Sequence, residues 1–400
     1  MGTKRRHPTA DQRGDILTWQ RNLKMARSAH AYMRGNTTRF YEWLDERGGV
    51  LPEGPPVWIC GDCHLGNLGP LANANGKVEI AIRDLDQTVI GNPAHDLLRL
   101  GLSLATAARG SDLPGITTAN MLEEMVIGYA NALESGASAE VNDPMPASVS
   151  EVIARSRGRQ WKHLARERIE DDSPKIPLGK RFWALTAEEQ SAIENLFQSS
   201  ELREMATSLS HRDASSIVTL RDAAYWMKGC SSLGRLRYAA LVEVRHGERR
   251  SFALMDIKEA TPAAAPRSSL AMPRNDAERV VTGARAIAPF LGKRMRAARL
   301  SGRQVVVREL MPQDLKLEID RLSRTEAVKA ARFLAAVVGR AHGRQMDDTV
   351  RRHWRGELDR RDSSKLDAPS WLWSGVVDLL AVHEPAYLEH CRHSMLLETA

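Results

Sequence analysis

The residues best suited to chemistry lie in the segments 60–67 (CGDCHLGN) and 83–86 (RDLD). Asp62 and Asn67 are five positions apart on a short loop, and Asp84 follows the next apolar run. Phosphoryl transfer requires such a set: one carboxylate orients and deprotonates the acceptor, while an amide oxygen and a second carboxylate hold Mg²⁺ on the nucleotide phosphates. We therefore expect these three side chains to converge on one cleft.

This spacing resembles the His-Gly-Asp-x-x-x-x-Asn catalytic loop of aminoglycoside and choline phosphotransferases, which have a protein-kinase-like fold. The segment 91–97 (GNPAHDL) is similar to the Gly-x-Pro-x-x-Asp-Leu that follows in those enzymes. The resemblance implies that Asp62 is the catalytic base, that Asn67 and Asp84 bind Mg²⁺, and that Asp96 is a structural carboxylate that steadies the loop. Asp86 could compete with Asp84, but the spacing to the downstream glycine favours Asp84.

A kinase also needs a turn that covers the phosphates and a lysine on the adjacent strand. The small residues at 229–234 (GCSSLG) allow backbone amides to approach phosphates closely. The resemblance implies that Lys258 contacts the α- and β-phosphates of ATP and pairs with Glu278 or, as the alternative, Glu259. The strand 305–310 (VVVREL) resembles the one that leads into the adenine-binding hinge. The further residues expected to bind the nucleotide are Gly229, Ser231, Ser232, Gly234, Glu309 and Leu310.

The order of these parts differs from that of the phosphotransferases. The segment 337–342 (VVGRAH) is similar to the helix that precedes their catalytic loop, yet it lies near the C-terminus here. Circular permutation accounts for this order, and it is tolerated where chain termini lie at the surface. We expect an α+β, two-lobed protein-kinase-like fold with a β-rich small lobe (213–310) inserted after the catalytic loop of a mainly helical large lobe (1–212 and 311–400).

Further segments at 24–35, 232–235, 257–260 and 279–281, with the catalytic loop, resemble the bacterial family called domain of unknown function 2252. The resemblance covers nearly the whole chain. It implies a kinase-like core but no particular substrate. For Arg34, two roles stay open, a salt bridge or a phosphate contact.

The elements that position these residues follow from apolar periodicity. Helical spacing predicts helices at about 16–44 with an interruption at Gly35, 94–108, 121–129, 275–290 after an Asn275 cap, 328–338, and 371–383 ending before Pro385. Short apolar runs predict strands at 57–60, 78–82 after an Asn75-Gly76 turn, 238–244 and 252–257 joined across His246-Gly247-Glu248, and 304–310.

The composition is that of a folded protein large enough for two lobes around a cleft: 400 residues, 42% hydrophobic and 27% charged. No apolar stretch suits a membrane span or a secretory signal, so we expect a cytoplasmic protein. The net charge of +7 favours anionic ligands. The basic clusters at 155–168, 293–303 and 351–361 are interleaved with apolar or acidic residues, so we expect solvated helix faces and no nucleic-acid partner. The expected partners are ATP and an unidentified small-molecule or protein acceptor.

Several alternatives stay open. Asp62-Cys63-His64 could belong to a binuclear metallophosphoesterase, with 91–96 as its second metal box. Cys60 stands where the phosphotransferases have His, which leaves a catalytically silent nucleotide-binding protein possible. Nucleotidyl transfer would use the same metal-bound triphosphate. The four cysteines are expected to be free thiols, with no zinc or redox role for the Cys60–Cys63 pair, and His64 is expected to stabilise the loop as a hydrogen-bond donor.

Overall fold

A computed structural model describes residues 8–47, 51–73, 75–134, 145–169, 175–209, 212–230, 232–267, 272–315, 317, 323–360 and 368–398. The fold is mixed α+β. The helices are α1 (Arg13–Ala26), α2 (Ala29–Gly35), α3 (Thr37–Arg47), α4 (Pro93–Gly110), α5 (Gly115–Glu134), α6 (Ala147–Arg157), α7 (Trp161–Arg168), α8 (Ala187–Leu196), α9 (Ser200–Thr207), α10 (Asp276–Ile287), α11 (Pro289–Gly292), α12 (Arg324–Gly343), α13 (Asp348–Asp359) and α14 (Ser370–Glu398). The strands are β1 (Val57–Ile59), β2 (Leu68–Ala72), β3 (Val78–Ile82), β4 (Val89–Gly91), β5 (Phe182–Trp183), β6 (Ile217–Trp226), β7 (Arg237–His246), β8 (Arg249–Glu259), β9 (Met295–Leu300) and β10 (Arg303–Leu310).

A six-stranded antiparallel sheet forms the β-rich part, in the order β5-β6-β7-β8-β10-β9. The predicted hairpin is confirmed, since β7 and β8 flank Gly247, whose φ of 56° suits the tight turn. β8 lies inside the sheet, and its Lys258 pairs in register with Arg237 on one side and Val306 on the other. The lysine backbone is thus fixed by two neighbouring strands.

The basic segment 293–303 was expected to be a solvated helix face, and that expectation is wrong. Its central residues form β9, the edge strand beside β10. Charged side chains suit an edge strand because they discourage pairing with another chain.

The sheet also recruits residues from upstream of position 213. β5 extends it at the opposite edge from β9, and α8 and α9 pack on one of its faces. Leu17 of α1 joins that same apolar cluster. The first helix therefore reaches from the N-terminal part of the chain to the sheet.

The helical part is built around α4, α5, α12 and α14, whose apolar residues share one core. Two glycines let α5 and α12 approach closely. A Cβ at Gly128 would lie 2.1 Å from the carbonyl oxygen of Arg332, and one at Gly339 would lie 2.6 Å from that of Tyr129. This packing joins a helix from the first half of the chain to one from its last quarter.

The predicted helices are present, with three differences. The helix expected at 275–290 ends at Ile287, and the separate helix α11 begins at Pro289. The segment 16–44 is three helices, interrupted at 27–28 as well as after Gly35. Helix α14 was expected to end before Pro385, but it continues through that residue to Glu398. Proline removes one helical hydrogen bond, and a long helix with many remaining bonds and buried contacts can accommodate the loss.

Two small antiparallel pairs frame the catalytic segment: β1 with β4, and β2 with β3. The short loop that carries Asp62 and Asn67 ends at Asn67, because Leu68–Ala72 is already β2. Within the ranges described above, no helix combines the length and apolar character needed to cross a bilayer.

Candidate functional site

The loop that follows β1 is held by a buried carboxylate. Asp96, in the first turn of α4, accepts hydrogen bonds from the backbone amides of Cys60 at 2.7 Å and Gly61 at 2.9 Å. Gly61 has φ of 74°, and a Cβ there would lie 2.2 Å from the carbonyl oxygen of Gln87. Only glycine fits this turn, and Asp96 steadies it in the manner the resemblance implied.

Asp96 is itself part of a buried network that reaches the end of the chain. His342 of α12 places Nε2 3.1 Å from Asp96 Oδ2, and its Nδ1 lies 2.9 Å from the Tyr129 hydroxyl. Trp354 donates to the same hydroxyl. Sequence reasoning missed this role of His342, because a lone histidine among apolar helical residues does not reveal its partner.

Asp62, the expected base, is buried at the start of the loop and oriented by Arg99. The Arg99 Nε donates to Asp62 Oδ1 at 2.9 Å, and its Nη2 donates to the Met33 carbonyl oxygen. Burial raises the pKa of Asp62, although the Arg99 guanidinium opposes that shift. A carboxylate with a raised pKa is a better proton acceptor.

His64 does not have the expected role. Its buried Nδ1 has no hydrogen-bond partner among the described residues, and its Nε2 lies 3.8 Å from Asp62 Oδ2. Burial, with Arg34 nearby, holds the pKa of His64 well below its usual range. A neutral imidazole therefore stands beside the Asp62 carboxylate.

Asn67 closes a 3-10 turn at Leu65–Asn67 and points back at the loop. Its Nδ2 donates to the Asp62 carbonyl oxygen at 2.9 Å, so its amide oxygen is directed elsewhere. Its own carbonyl oxygen accepts from the amide of Arg83, next to Asp84. These bonds fix Asn67 between the two expected functional carboxylates.

Lys258 of β8 reaches the acidic segment after β3. Its Nζ lies 3.5 Å from Asp84 Oδ1 and also contacts Asp86 Oδ2. Burial disfavours the charged lysine, but the two carboxylates outweigh it and raise the pKa of Lys258. Burial likewise opposes ionisation of Asp84, but Lys258 and Arg237 outweigh it and lower the pKa of Asp84. For Asp86, burial and the negative charge of Asp84 raise the pKa.

The expected pair of Lys258 with Glu278 is wrong. Glu278 lies on the exposed face of α10, with its backbone amide capped by Asn275. The next residue, Arg279, is the one that points inward, where it donates to the carbonyl oxygens of Thr88, Asp86 and Thr261. Glu259, the alternative partner, forms an ion pair with Arg303.

The glycine turn between β6 and β7 borders a cavity that Asp62, Asn67 and Asp84 also line, whereas Lys258 does not line it. Gly229 (φ 99°) and the buried Ser232 line it, and Gly229 accepts a hydrogen bond from Lys24 Nζ at 3.0 Å. Gly234 also has a positive φ, of 94°, but the residue nearest to it is Thr18 of α1 and it does not line the cavity. Ser231 lies outside the described residues.

Leu310 and Glu309, the two residues expected near adenine, have different surroundings in the structure. Leu310 lines the cavity, together with Met311 and Pro312. Glu309 does not contribute there, because its buried carboxylate is held by both Nη atoms of Arg212 at 2.9 Å. The backbone of Glu309 is also engaged, because its amide donates to the Arg294 carbonyl oxygen and its carbonyl oxygen accepts from Arg294 Nη1. The expected nucleotide contact by Glu309 is therefore wrong.

The cavity has a volume of about 740 Å³ and is lined by the expected base, Asp62, and by both expected metal ligands, Asn67 and Asp84. Its walls are rich in cations from several elements: Lys24, Arg27, Arg34, Arg155, Arg168 and Lys228. Two of these belong to the cluster 155–168, which was expected to be a solvated face. That prediction holds for Arg155, which is exposed, whereas Arg168 is half-buried, and α6 and α7 place both side chains at the cavity.

The four cysteines form no disulfide among the described residues. Cys60, Cys63, Cys230 and Cys391 are free, and the first two are buried. No group of three His, Cys, Asp or Glu side chains within the described ranges is arranged to hold a metal ion. In the phosphoesterase alternative, the segment 91–96 would supply further metal ligands. Two of its residues have other contacts, since Asp96 accepts hydrogen bonds from backbone amides and His95 packs its ring against Tyr41.

Comparison with known proteins gives one match. The model of a family described as "Uncharacterized protein conserved in bacteria (DUF2252)" covers residues 14–393. No curated protein and no solved structure matches the chain.

Proposed function

This chain belongs to the DUF2252 family of bacterial proteins, and we propose that it is an ATP- and Mg²⁺-dependent phosphotransferase of kinase-like, circularly permuted architecture. The observation that carries the proposal is the contact of Lys258, from the sheet, with Asp84, from the catalytic half. A lysine on the third strand of a meander, facing a metal-binding Asp, is the arrangement that protein kinases use.

The small lobe supports this architecture through its order along the chain. The turn at 227–236 joins the first two strands of the meander, β6 and β7, Lys258 lies near the end of the third, β8, and α10 follows. Protein kinases have the same succession of glycine-rich loop, lysine strand and helix. The departure is the partner of the lysine, which here is an aspartate pair instead of a helical glutamate.

The donor set fits a Mg²⁺ ion that is bound mainly through the nucleotide. Asn67 and Asp84 both offer oxygen ligands and both line the cavity. Proteins commonly hold Mg²⁺ through one or two carboxylates plus substrate phosphates, without a complete protein cage. When bound there, the ion would neutralise negative charge on the phosphates.

The residues of the chain carry the remaining roles. Lys258 binds the α- and β-phosphates, and Gly229 with Ser232 borders the phosphate path. Asp62, oriented by Arg99, takes the proton of an acceptor hydroxyl or amine as the bond from that atom to the γ-phosphorus forms and the bond to the ADP oxygen breaks. Positioning and charge neutralisation supply most of the rate.

A thermal-shift titration tests the proposal directly. A site-specific ligand raises the melting temperature by mass action, so ATP with Mg²⁺ together is expected to give a larger saturable rise than either one alone. No rise with the combination would contradict it. Product analysis then separates phosphoryl transfer, which yields ADP, from nucleotidyl transfer, which yields pyrophosphate.

A further inference from the structure

One wall of the cavity is formed by α1, α2 and the residues that join them. Lys24, Arg27, Ala31 and Arg34 line it, and we call them the α1–α2 wall. The same wall contacts both halves of the site. Lys24 donates to Gly229 in the glycine turn, while Arg34 packs on the catalytic loop.

Arg34 is pressed against Gly66, which lies four positions after the expected base Asp62 and directly before the expected metal ligand Asn67. A Cβ at Gly66 would lie 2.7 Å from Arg34 Cζ and 2.8 Å from Nη2, so glycine makes room for the guanidinium. The Arg34 Nε is buried without a hydrogen-bond partner in the described residues. A planar donor group is therefore held against the loop that carries Asp62, with unused hydrogen-bonding capacity.

The charge of this wall is also uncompensated. Several other cations of the cavity have carboxylate partners: Arg237 pairs with Asp256, Arg308 with Asp314 and Arg159 with Glu167. For the side chains of Arg27 and Arg34, the described part of the chain supplies no ion pair and no hydrogen bond, and Lys24 meets only a carbonyl oxygen. Unpaired positive charge in a concave site favours an anionic ligand, and guanidinium groups bind phosphate or carboxylate through paired donors.

We propose that the acceptor is a small anionic molecule whose phosphate or carboxylate group binds Arg34 and Arg27. This contact presents the hydroxyl of the acceptor to Asp62. This inference rests on the proposed function for the role of acceptor. The position of Arg34 carries it, because Arg34 and Asp62 line the same cavity and Arg34 packs on the loop that carries Asp62. Lys258, with Asp84, serves the nucleotide from β8.

The test fills the nucleotide site first and then probes the wall. The full-length protein is saturated with a non-hydrolysable ATP analogue and Mg²⁺, and inorganic phosphate or malonate is titrated at constant ionic strength while the melting temperature is followed. The same titrations are run without nucleotide. Arg34→Gln and Arg27→Gln are compared with Arg352→Gln, which changes an exposed arginine on α13.

A saturable rise with one or both anions on the nucleotide-loaded protein is expected, and phosphate against malonate shows which group the wall prefers. Losing a charge-assisted hydrogen bond is expected to raise the apparent Kd about tenfold in Arg34→Gln. Arg352→Gln is expected to behave as the wild type. The rise with the nucleotide analogue itself reports whether each variant folds.

Three results would overturn the inference: no anion response at all, an anion response that Arg34→Gln leaves intact, or a response that nucleotide abolishes by competition. The last would assign the wall to the nucleotide phosphates. Failure of the proposed function gives a different result. In that case the nucleotide analogue with Mg²⁺ does not change the melting temperature, regardless of the response to phosphate and malonate.

Discussion

Lys258 Nζ lies 3.5 Å from Asp84 Oδ1, although 174 positions separate the two residues in the chain. One comes from the interior of the six-stranded sheet, and the other follows a two-stranded pair in the catalytic half. Asp86 contacts the same ammonium group. This cation between two carboxylates links the part that would hold nucleotide phosphates to the part that would hold metal.

Removing the ammonium group tests its role in nucleotide binding. Lys258→Met is expected to raise the Kd for ATP with Mg²⁺ at least about tenfold, because a charged hydrogen bond to phosphate is lost. Isothermal titration calorimetry measures this. Lys293→Met, at an exposed lysine, is the matched control and is expected to bind as the wild type. Equal affinities in the two variants would remove Lys258 from the site.

The grouping of Asp62, Asn67 and Asp84 was predictable from sequence because all three lie within the short segment 62–84. Asp62, Asn67 and Asp84 line one cavity, as their spacing indicated. Glu278 was mistaken because helix phase decides which side chain faces inward. Successive helical residues are about 100° apart, and the Asn275 cap places Glu278 outward and Arg279 inward.

Long-range partners were beyond sequence reasoning. Glu309 looked available near the hinge, yet Arg212, 97 positions earlier, neutralises it in the core. The strand β9 was missed because an edge strand can carry charges, which disrupt the alternation that identifies interior strands. Both errors arise where tertiary contacts override local pattern.

The buried Asp96 predicts a stability effect. Asp96→Asn is expected to lower the free energy of unfolding by about 2–4 kcal/mol, because an amide cannot accept at both oxygens from Cys60 and Gly61 while also meeting His342. Urea denaturation measures the change. Asp378→Asn, at a half-exposed surface carboxylate, is expected to cost far less. A midpoint equal to that of the wild type would show that the loop does not depend on Asp96.

His383 predicts a pH effect on stability. Burial lowers its pKa from 6.5 to about 4, and its Nε2 has no partner among the described residues. The unfolded chain binds the proton more tightly, so neutral His383 contributes to the free energy of unfolding above pH 6.5. That contribution, about 3 kcal/mol, is lost as the pH falls toward 4. Urea denaturation across that range is expected to show a shallower pH dependence for His383→Gln than for the exposed-site control His353→Gln. Identical slopes would exclude His383 as the cause.

The most direct test of the phosphotransferase account is the metal dependence of ATP turnover in Asp84→Ala, measured beside the wild type with Mg²⁺ and with a chelator. The account predicts that the variant keeps a cooperative unfolding transition but has no metal-dependent turnover, because the proposed metal ligand, which is also one of the two carboxylates that contact Lys258, is gone. Full, Mg²⁺-dependent activity in folded Asp84→Ala would contradict it.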